Sequence, residues 1–171
     1  MAVPDHLHQV LDADGKRLLC CIIQRFIESD GVYSRELRHG AIRTPAHTPM
    51  AERLATIYSD MCQLLELCNP DAAAIEELFF NTNITTGICV AQARGVILLA
   101  CTQHHVPVFE YTPLQVKQAV VGYGRAEKQQ VMEMTRIILK LSAIPKPDDA
   151  ADALAIALCH AQSASSALSE Y

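Results

Sequence analysis

Two carboxylates lie close together near the carboxyl end of the chain. Asp149 and Asp152 belong to the segment 145–160, PKPDDAADALAIALCH, whose prolines end any preceding helix and whose Asp148 is predicted to be a helix N-cap. Helical residues three apart lie on one face, so the two carboxylates are side by side. They either serve the helix N-terminus, where the macrodipole favours negative charge, or bind a hard cation such as Mg²⁺ or Mn²⁺. Spacing alone leaves both alternatives open.

A third candidate acid lies much earlier in the chain. The segment 71–80, DAAAIEELFF, is predicted to form a buried strand, and Glu76 directly follows its apolar run. A carboxylate there is costly unless it is paired or ligates a cation. Strand ends and helix N-termini meet at the sites of α/β proteins. Glu76, Asp149 and Asp152 therefore suit phosphodiester hydrolysis by two metals lying about 3.5–4 Å apart.

The elements that must position these acids alternate between strands and helices. Strands are predicted over Val32–Ile42, 71–80 and Val106–Tyr111. Helices are predicted from Thr48–Pro49 to just before Asn69, over Gly87–Thr102, over Leu114–Val121 after a Thr112–Pro113 start, over Ala126–Leu141, and from Asp148 onward. The run Leu18–Ile23 fits either a strand or a helix over Asp14–Phe26. The pattern indicates a single α/β domain over residues 1–171, with a frayed polar tail at 163–171.

The composition narrows the function classes. The 171 residues carry a net charge of −5, which argues mildly against nucleic-acid binding unless the acids are clustered around a metal. None of the seven cysteines forms a CxxC pair, so we interpret them as reduced core residues, with zinc binding or a catalytic thiol as alternatives. No signal peptide or membrane-spanning run is present, and we expect a cytoplasmic protein.

A basic segment and an aromatic pair are candidate nucleic-acid contacts. The segment 115–128, QVKQAVVGYGRAEK, places Lys117, Arg125 and Lys128 around a helix end and a glycine turn. It is either a phosphate-binding surface or an ordinary solvated face. Phe79 and Phe80 follow Glu76. Either one of them is exposed and able to stack on an unpaired base, or one lies in the core and the other covers it.

Four motifs resemble the RuvC family of bacterial Holliday-junction resolvases. They are AIEELFF at 74–80, AQARGV at 91–96, PVFEYTPLQVKQAVVGYGRAEK at 107–128 and DDAADALAIA at 148–157. The match runs in order from about Ile27 to His160 without a gap.

The resemblance implies a fold, a reaction and a set of partners. The fold is RNase H-like, a mixed five-stranded sheet flanked by helices. The activity is Mg²⁺-dependent resolution of four-way DNA junctions by paired symmetric nicks, in recombination and repair, with two Mg²⁺ per subunit and Mn²⁺ able to substitute. The partners are junction DNA, a second copy of the chain, and the branch-migration proteins RuvA and RuvB.

The resemblance also assigns roles to residues. Glu76, Asp149 and Asp152 are implied to be three of four acidic ligands, and Phe79 to stack on a base at the junction. Lys117 and Lys128 are implied to contact the DNA backbone. Dimer contacts are implied for the helix around Gln92–Leu99.

The amino-terminal segment departs from the family pattern. Family members open with a strand like ILGIDPG, whose Asp is the first metal ligand, whereas residues 1–26 offer only LDADG at 11–15. One explanation is a shifted reading frame or mis-called start that rejoins the family sequence near Ile27, which the abruptness of the change favours. The others are a diverged N-terminus in which Asp14 or Asp12 still ligates metal, and a degenerate paralogue.

Three functions follow from these observations. The first is the junction endonuclease, with Asp14 as the candidate fourth ligand. The second is a catalytically impaired module that binds junctions without cutting them. The third, which has little support, is a small-molecule α/β enzyme that uses a cysteine.

Overall fold

The computed structural model describes residues 22–23, 27–29, 34–36, 42, 44–45, 47–78, 84–146 and 148–168. The predictions for Asp12, Asp14, Phe79 and Phe80 therefore lie outside the described residues.

The strands fall into two sheets. They are β1 (Ile22–Ile23), β2 (Ile27–Ser29), β3 (Ser34–Glu36), β4 (Ala73–Glu76) and β5 (Val108–Tyr111). The first sheet has the order β1-β4-β5, with β1 antiparallel and β5 parallel to β4. The second is the antiparallel pair β2–β3. Ile22–Ile23 is thus extended, which favours the strand alternative for the apolar run around it.

Five helices complete the described fold. They are α1 (Met50–Cys68), α2 (Ile84–Gln103), α3 (Pro113–Val121), α4 (Lys128–Ile138) and α5 (Asp148–Leu168). The alternation of strands and helices after residue 70 confirms the α/β prediction, because the parallel pair β4–β5 is connected through α2.

Several predicted boundaries were wrong by a few residues. Pro49, rather than Thr48, is the N-cap of α1, because its extended backbone lets its carbonyl accept the N–H of Arg53 at 3.1 Å. Asp148 is the first helical residue of α5 and not its cap. The predicted strand over Val32–Ile42 is β3 alone among the described residues, and Ile42 is a non-strand residue packed on a core cluster.

The Thr112–Pro113 start of α3 is confirmed. The Thr112 hydroxyl accepts the Gln115 N–H at 3.2 Å, and the Gln115 side chain accepts the Thr112 N–H at 2.7 Å. Gly122 ends this helix with φ +77°, a left-handed conformation that a side chain would strain.

Two apolar cores cover opposite faces of the sheet. Ala73 belongs to a core with α1 and α2, built around Met61, Ile97 and Cys101. Ala74 belongs to a core with α3, α4 and α5, built around Leu154 and Leu158. Neighbouring strand residues point to opposite faces, so β4 is covered on both sides. A strand buried on both faces needs apolar residues at successive positions, which explains the apolar sequence of β4.

The described cysteines behave as reduced residues. Cys101 and Cys159 are buried, Cys62, Cys68 and Cys89 are half-buried, and none of the five forms a disulfide.

No helix in the described part of the chain is long and apolar enough to cross a membrane.

Candidate metal centre and nucleic-acid interface

Glu76 is positioned by the carboxyl end of β4. It pairs in register with Tyr111 at the end of β5, and the next residue continues the pairing, since the Glu77 N–H donates to the Tyr111 carbonyl at 2.9 Å. Side chains two apart on a strand share a face. Glu76 therefore lies on the same face as Ala74, which packs against α5.

Asp152 is positioned by the close approach of α5 to the sheet. Ala150 and Ala151 are fully buried, and Ala153 and Leu154 are nearly so. Small side chains allow this approach, so the first turns of α5 lie against the core while Asp152 is half-buried at its edge. Asp149 lies in the first turn of the same helix, and its side chain is outside what the structure describes.

The two described acids share one electrostatic environment. Loss of hydration raises the pKa of the Glu76 carboxyl above its usual value, and the negative charge of Asp152 raises it further. The ammonium group of Lys128 acts in the opposite direction and lowers the same pKa. Although Glu76 as a residue is exposed, its carboxyl group is therefore partly desolvated and faces both a like charge and a cation.

Lys128 is bound to the acids of α5. Its Nζ donates to Asp152 Oδ2 at 2.9 Å and lies 3.8 Å from Asp148 Oδ2. The sequence predicted Lys128 as a contact to DNA backbone. The structure brings it together with Glu76 and Asp152, so that three of the predicted site residues lie at one place, and the DNA contact stays a prediction.

The donor set fits a divalent cation only in part. Within the described ranges, no group of three or more His, Cys, Asp or Glu side chains lies close enough together to hold a metal ion. Glu76 and Asp152 supply two carboxylates, and the charge of Asp152 raises the pKa of Glu76. Both carboxylates already attract the Lys128 ammonium. Carboxylate oxygens are hard donors of the kind that Mg²⁺ prefers, and here they surround a positive group, the Lys128 ammonium.

The basic segment forms an exposed turn between α3 and α4. Lys117 is half-buried on α3, and Arg125 is exposed after Gly124. Tyr123 is 57% exposed, and the 62% exposed side chain of Leu114 lies next to Gly124, where an added Cβ would approach it to 3.3 Å.

Two polar contacts were missed by the sequence analysis. Tyr111 Oη and His160 Nδ1 lie 2.7 Å apart in the core beside the acids, and the His160 ring also stacks at an angle against Phe109. On the other face, Arg94 of α2 forms an ion pair with Glu110 of β5. The alternation of Phe109, Glu110 and Tyr111 along β5 is the signal that places these two groups on opposite faces.

The fold and its acidic edge define an RNase H-like protein. A solved structure of Thermus thermophilus RuvC superimposes with a TM-score of 0.75 and 39% sequence identity, covering 82% of this chain and 86% of that one. A second structure, of the same protein in complex with Holliday junction substrate, gives a TM-score of 0.78 and 38% identity over the same shares.

Sequence comparison identifies the family. The model for crossover junction endodeoxyribonuclease RuvC matches residues 21–160. The RuvC of Heliobacterium modesticaldum is 58% identical over 137 residues, which cover 80% of this chain and 85% of that protein. The RuvC of Chloroflexus aggregans is 53% identical over 138 residues, covering 81% and 84%. The chain belongs to the RuvC family. The family match begins after Asp14.

Proposed function

We propose that this protein is a structure-selective endonuclease that resolves four-way DNA junctions by paired symmetric nicks. The observation that carries the proposal is the meeting of Glu76 and Asp152 around a cationic group, at a strand end and a helix start of an RNase H-like fold. The family membership supports the substrate, because a similar protein has been solved with Holliday junction substrate. Acting on chromosomal DNA, the enzyme would work in the cytoplasm.

The acids would hold Mg²⁺, two ions per subunit, with Mn²⁺ as a substitute. Glu76 and Asp152 are the described ligands, Asp149 is the third, and Asp14 is the candidate for the fourth. Bound Mg²⁺ lowers the pKa of water and stabilises charge on phosphate oxygens. The chain itself sets the geometry: β4 fixes Glu76, and the alanine-rich start of α5 fixes Asp152 beside it.

DNA would lie across the edge that carries these acids. Lys117 and Arg125 would contact phosphates, and the αL cap at Gly122 turns the chain so that Arg125 projects from an exposed loop. Phe79 would stack on a base at the junction, because it follows Glu76 by three residues in the sequence. Replacing Lys117 or Arg125 by Gln is expected to weaken junction binding and to reduce its salt dependence.

A second copy of the chain would complete the enzyme, since paired nicks need two active sites. The exposed face of α2 supports this. Ile88 and Leu99 are 52% and 51% exposed, Gln92 and Gly95 are exposed between them, and the space in front of Gly95 is open. These residues, spaced by three and four, form one helical stripe. Within each subunit, the five strands would form one mixed sheet. RuvA and RuvB would be the partners that bring the junction to the dimer.

The test is cleavage of a synthetic four-way junction by the purified chain, with and without Mg²⁺. We expect symmetric nicks that require the metal, and a loss of more than about 100-fold in rate for Glu76→Gln and for Asp152→Asn, since even indirect partners of metal ligands often contribute 10–100-fold. Glu66→Gln, an exposed substitution on α1, is the control for removing one negative charge.

Each alternative result has a definite meaning. Junction binding without nicks would contradict the nuclease and leave a binding module. Cleavage that survives both Glu76→Gln and Asp152→Asn would show that the metal ligands lie elsewhere. Cleavage that survives Asp14→Asn would remove only Asp14 from the ligand set.

A further inference from the structure

Lys128 occupies an unusual position for a cation. It is the first residue of α4, where the helix macrodipole is positive and disfavours positive charge. Glu127, the N-cap of α4, is the acid next to it in sequence. A second helix adds to this compensation, because the start of α5 presents Asp148 and Asp152 to the Lys128 ammonium.

The ammonium lies among all the described acids of the candidate site. It donates to Asp152 at 2.9 Å, lies 3.8 Å from Asp148, and acts electrostatically on Glu76. Both partners of the 2.9 Å pair are 41% exposed, so the ion pair is accessible to water and to competing ions. An accessible ion pair of this kind is weak and readily exchanged.

A divalent cation bound between Glu76 and Asp152 would use the Asp152 carboxylate that already binds Lys128. Asp152 Oδ2 accepts the Lys128 hydrogen bond. A metal ion on this carboxylate and an ammonium 2.9 Å from one of its oxygens would place two positive groups side by side, which Coulomb repulsion opposes. The two cations are therefore expected to compete for the Asp152 carboxylate.

We infer that the Lys128 ammonium is a built-in competitor of the metal, holding Asp152 until a divalent cation displaces it and frees the lysine for a DNA phosphate. The inference rests on the proposed function, in which Glu76 and Asp152 are metal ligands. It gives Lys128 a second role beside the DNA contact: the lysine positions Asp152 and limits metal binding in the absence of DNA.

The test is metal binding without DNA, so that no cleavage is involved. Free Mn²⁺ is titrated by electron paramagnetic resonance against the wild-type chain, Lys128→Gln and Lys128→Arg. We expect Lys128→Gln to bind Mn²⁺ about two- to fivefold more tightly, the range that the loss of an exposed ion pair allows. Lys128→Arg keeps the charge and is expected to stay within twofold of the wild type.

Lys140→Gln is the matched control. Lys140 is exposed and follows the opposite end of α4, about 16 Å away along an 11-residue helix. Its substitution removes the same charge just beyond the other end of this helix and is expected to leave Mn²⁺ affinity unchanged. Thermal unfolding of all variants, measured without metal, identifies any change due to misfolding.

The outcomes separate the two proposals. If the wild type binds Mn²⁺ and Glu76→Gln weakens binding, but Lys128→Gln binds no more tightly than the wild type, the competition is contradicted and the metal site stands. If Lys128→Gln and Lys140→Gln tighten binding equally, the effect is one of net charge and the competition is again contradicted. If neither wild type nor Lys128→Gln binds Mn²⁺, the proposed metal site itself is contradicted.

Discussion

Ion pairs lie on both faces of the sheet, and the pairs of Arg94 and of Lys128 differ in what surrounds them. On the face covered by α1 and α2, Arg94 is 15% exposed and is paired with Glu110, a single acid. On the face covered by α3, α4 and α5, Lys128 is 41% exposed and lies among three acids. The first pair is nearly balanced in charge, whereas the second group keeps excess negative charge. We interpret the first pair as structural, and the excess negative charge of the second group is the feature that the proposed metal site requires.

The largest expected effect tests whether each core supports its own face. Leu154→Ala on α5 and Ile97→Ala on α2 both remove a side chain that is almost fully buried, and each is expected to cost about 2–5 kcal/mol of unfolding free energy. Leu154 is two residues from Asp152, so its truncation should also weaken Mn²⁺ binding, and Ile97→Ala should not.

Chemical denaturation and Mn²⁺ titration at a temperature where both variants are folded would measure this. Equal loss of metal affinity in the two variants would contradict the separation of the faces.

A smaller effect comes from the buried histidine beside the site. Burial lowers the pKa of His160 below its usual 6.5. The unfolded chain therefore takes up a proton as pH falls through about 6.5, while the folded chain does not, so stability is present above this pH and is lost progressively below it. His160→Gln is expected to flatten the dependence of unfolding free energy on pH between 7 and 5.

Tyr111→Phe is the companion variant. It removes the hydrogen-bond partner of His160 and is expected to cost about 0.5–1.5 kcal/mol while leaving the pH dependence in place, because burial is what lowers the pKa. A flat profile in Tyr111→Phe would mean that the hydrogen bond, and not burial, controls the titration.

The sequence predicts the local elements of this molecule better than the contacts between distant residues. The elements that carry the acids were predictable because local signals agree: prolines before Asp148, an apolar run before Glu76, and the Thr112–Pro113 start of α3. The partnership of Lys128 with Asp152 was not, because a lysine beside a glycine turn has the same local pattern whether it faces solvent, DNA or a carboxylate. Only the packing of α4 on α5 decides this.

The contact between Tyr111 and His160 shows the same limit. The two residues are 49 positions apart, and each fits an apolar pattern alone. Their meeting depends on β5 lying under the second half of α5, a long-range arrangement that periodicity does not encode. The assignment of Asp14 stays a prediction, because it lies outside both the described residues and the family match.

The smallest expected effect concerns the structural pair itself. Glu110→Gln removes the partner of Arg94, whose Nε is buried without a hydrogen bond to any described residue. Because Glu110 is 45% exposed, we expect a loss of at most about 1 kcal/mol, reduced further at high salt. Junction cleavage should be unchanged. A large loss of cleavage would make the Arg94 face part of the active site and remove the contrast between the faces.

The most direct test of the central claim, that acids of β4 and α5 share one cation site, is metal-directed cleavage of the protein backbone. Fe²⁺ is bound in place of Mg²⁺, ascorbate and peroxide are added, and the fragments are mapped by mass spectrometry. The account predicts cuts near residue 76 and near residues 148–152 in the same sample, both suppressed by excess Mg²⁺. Cuts at only one of these segments, or at neither, would contradict it.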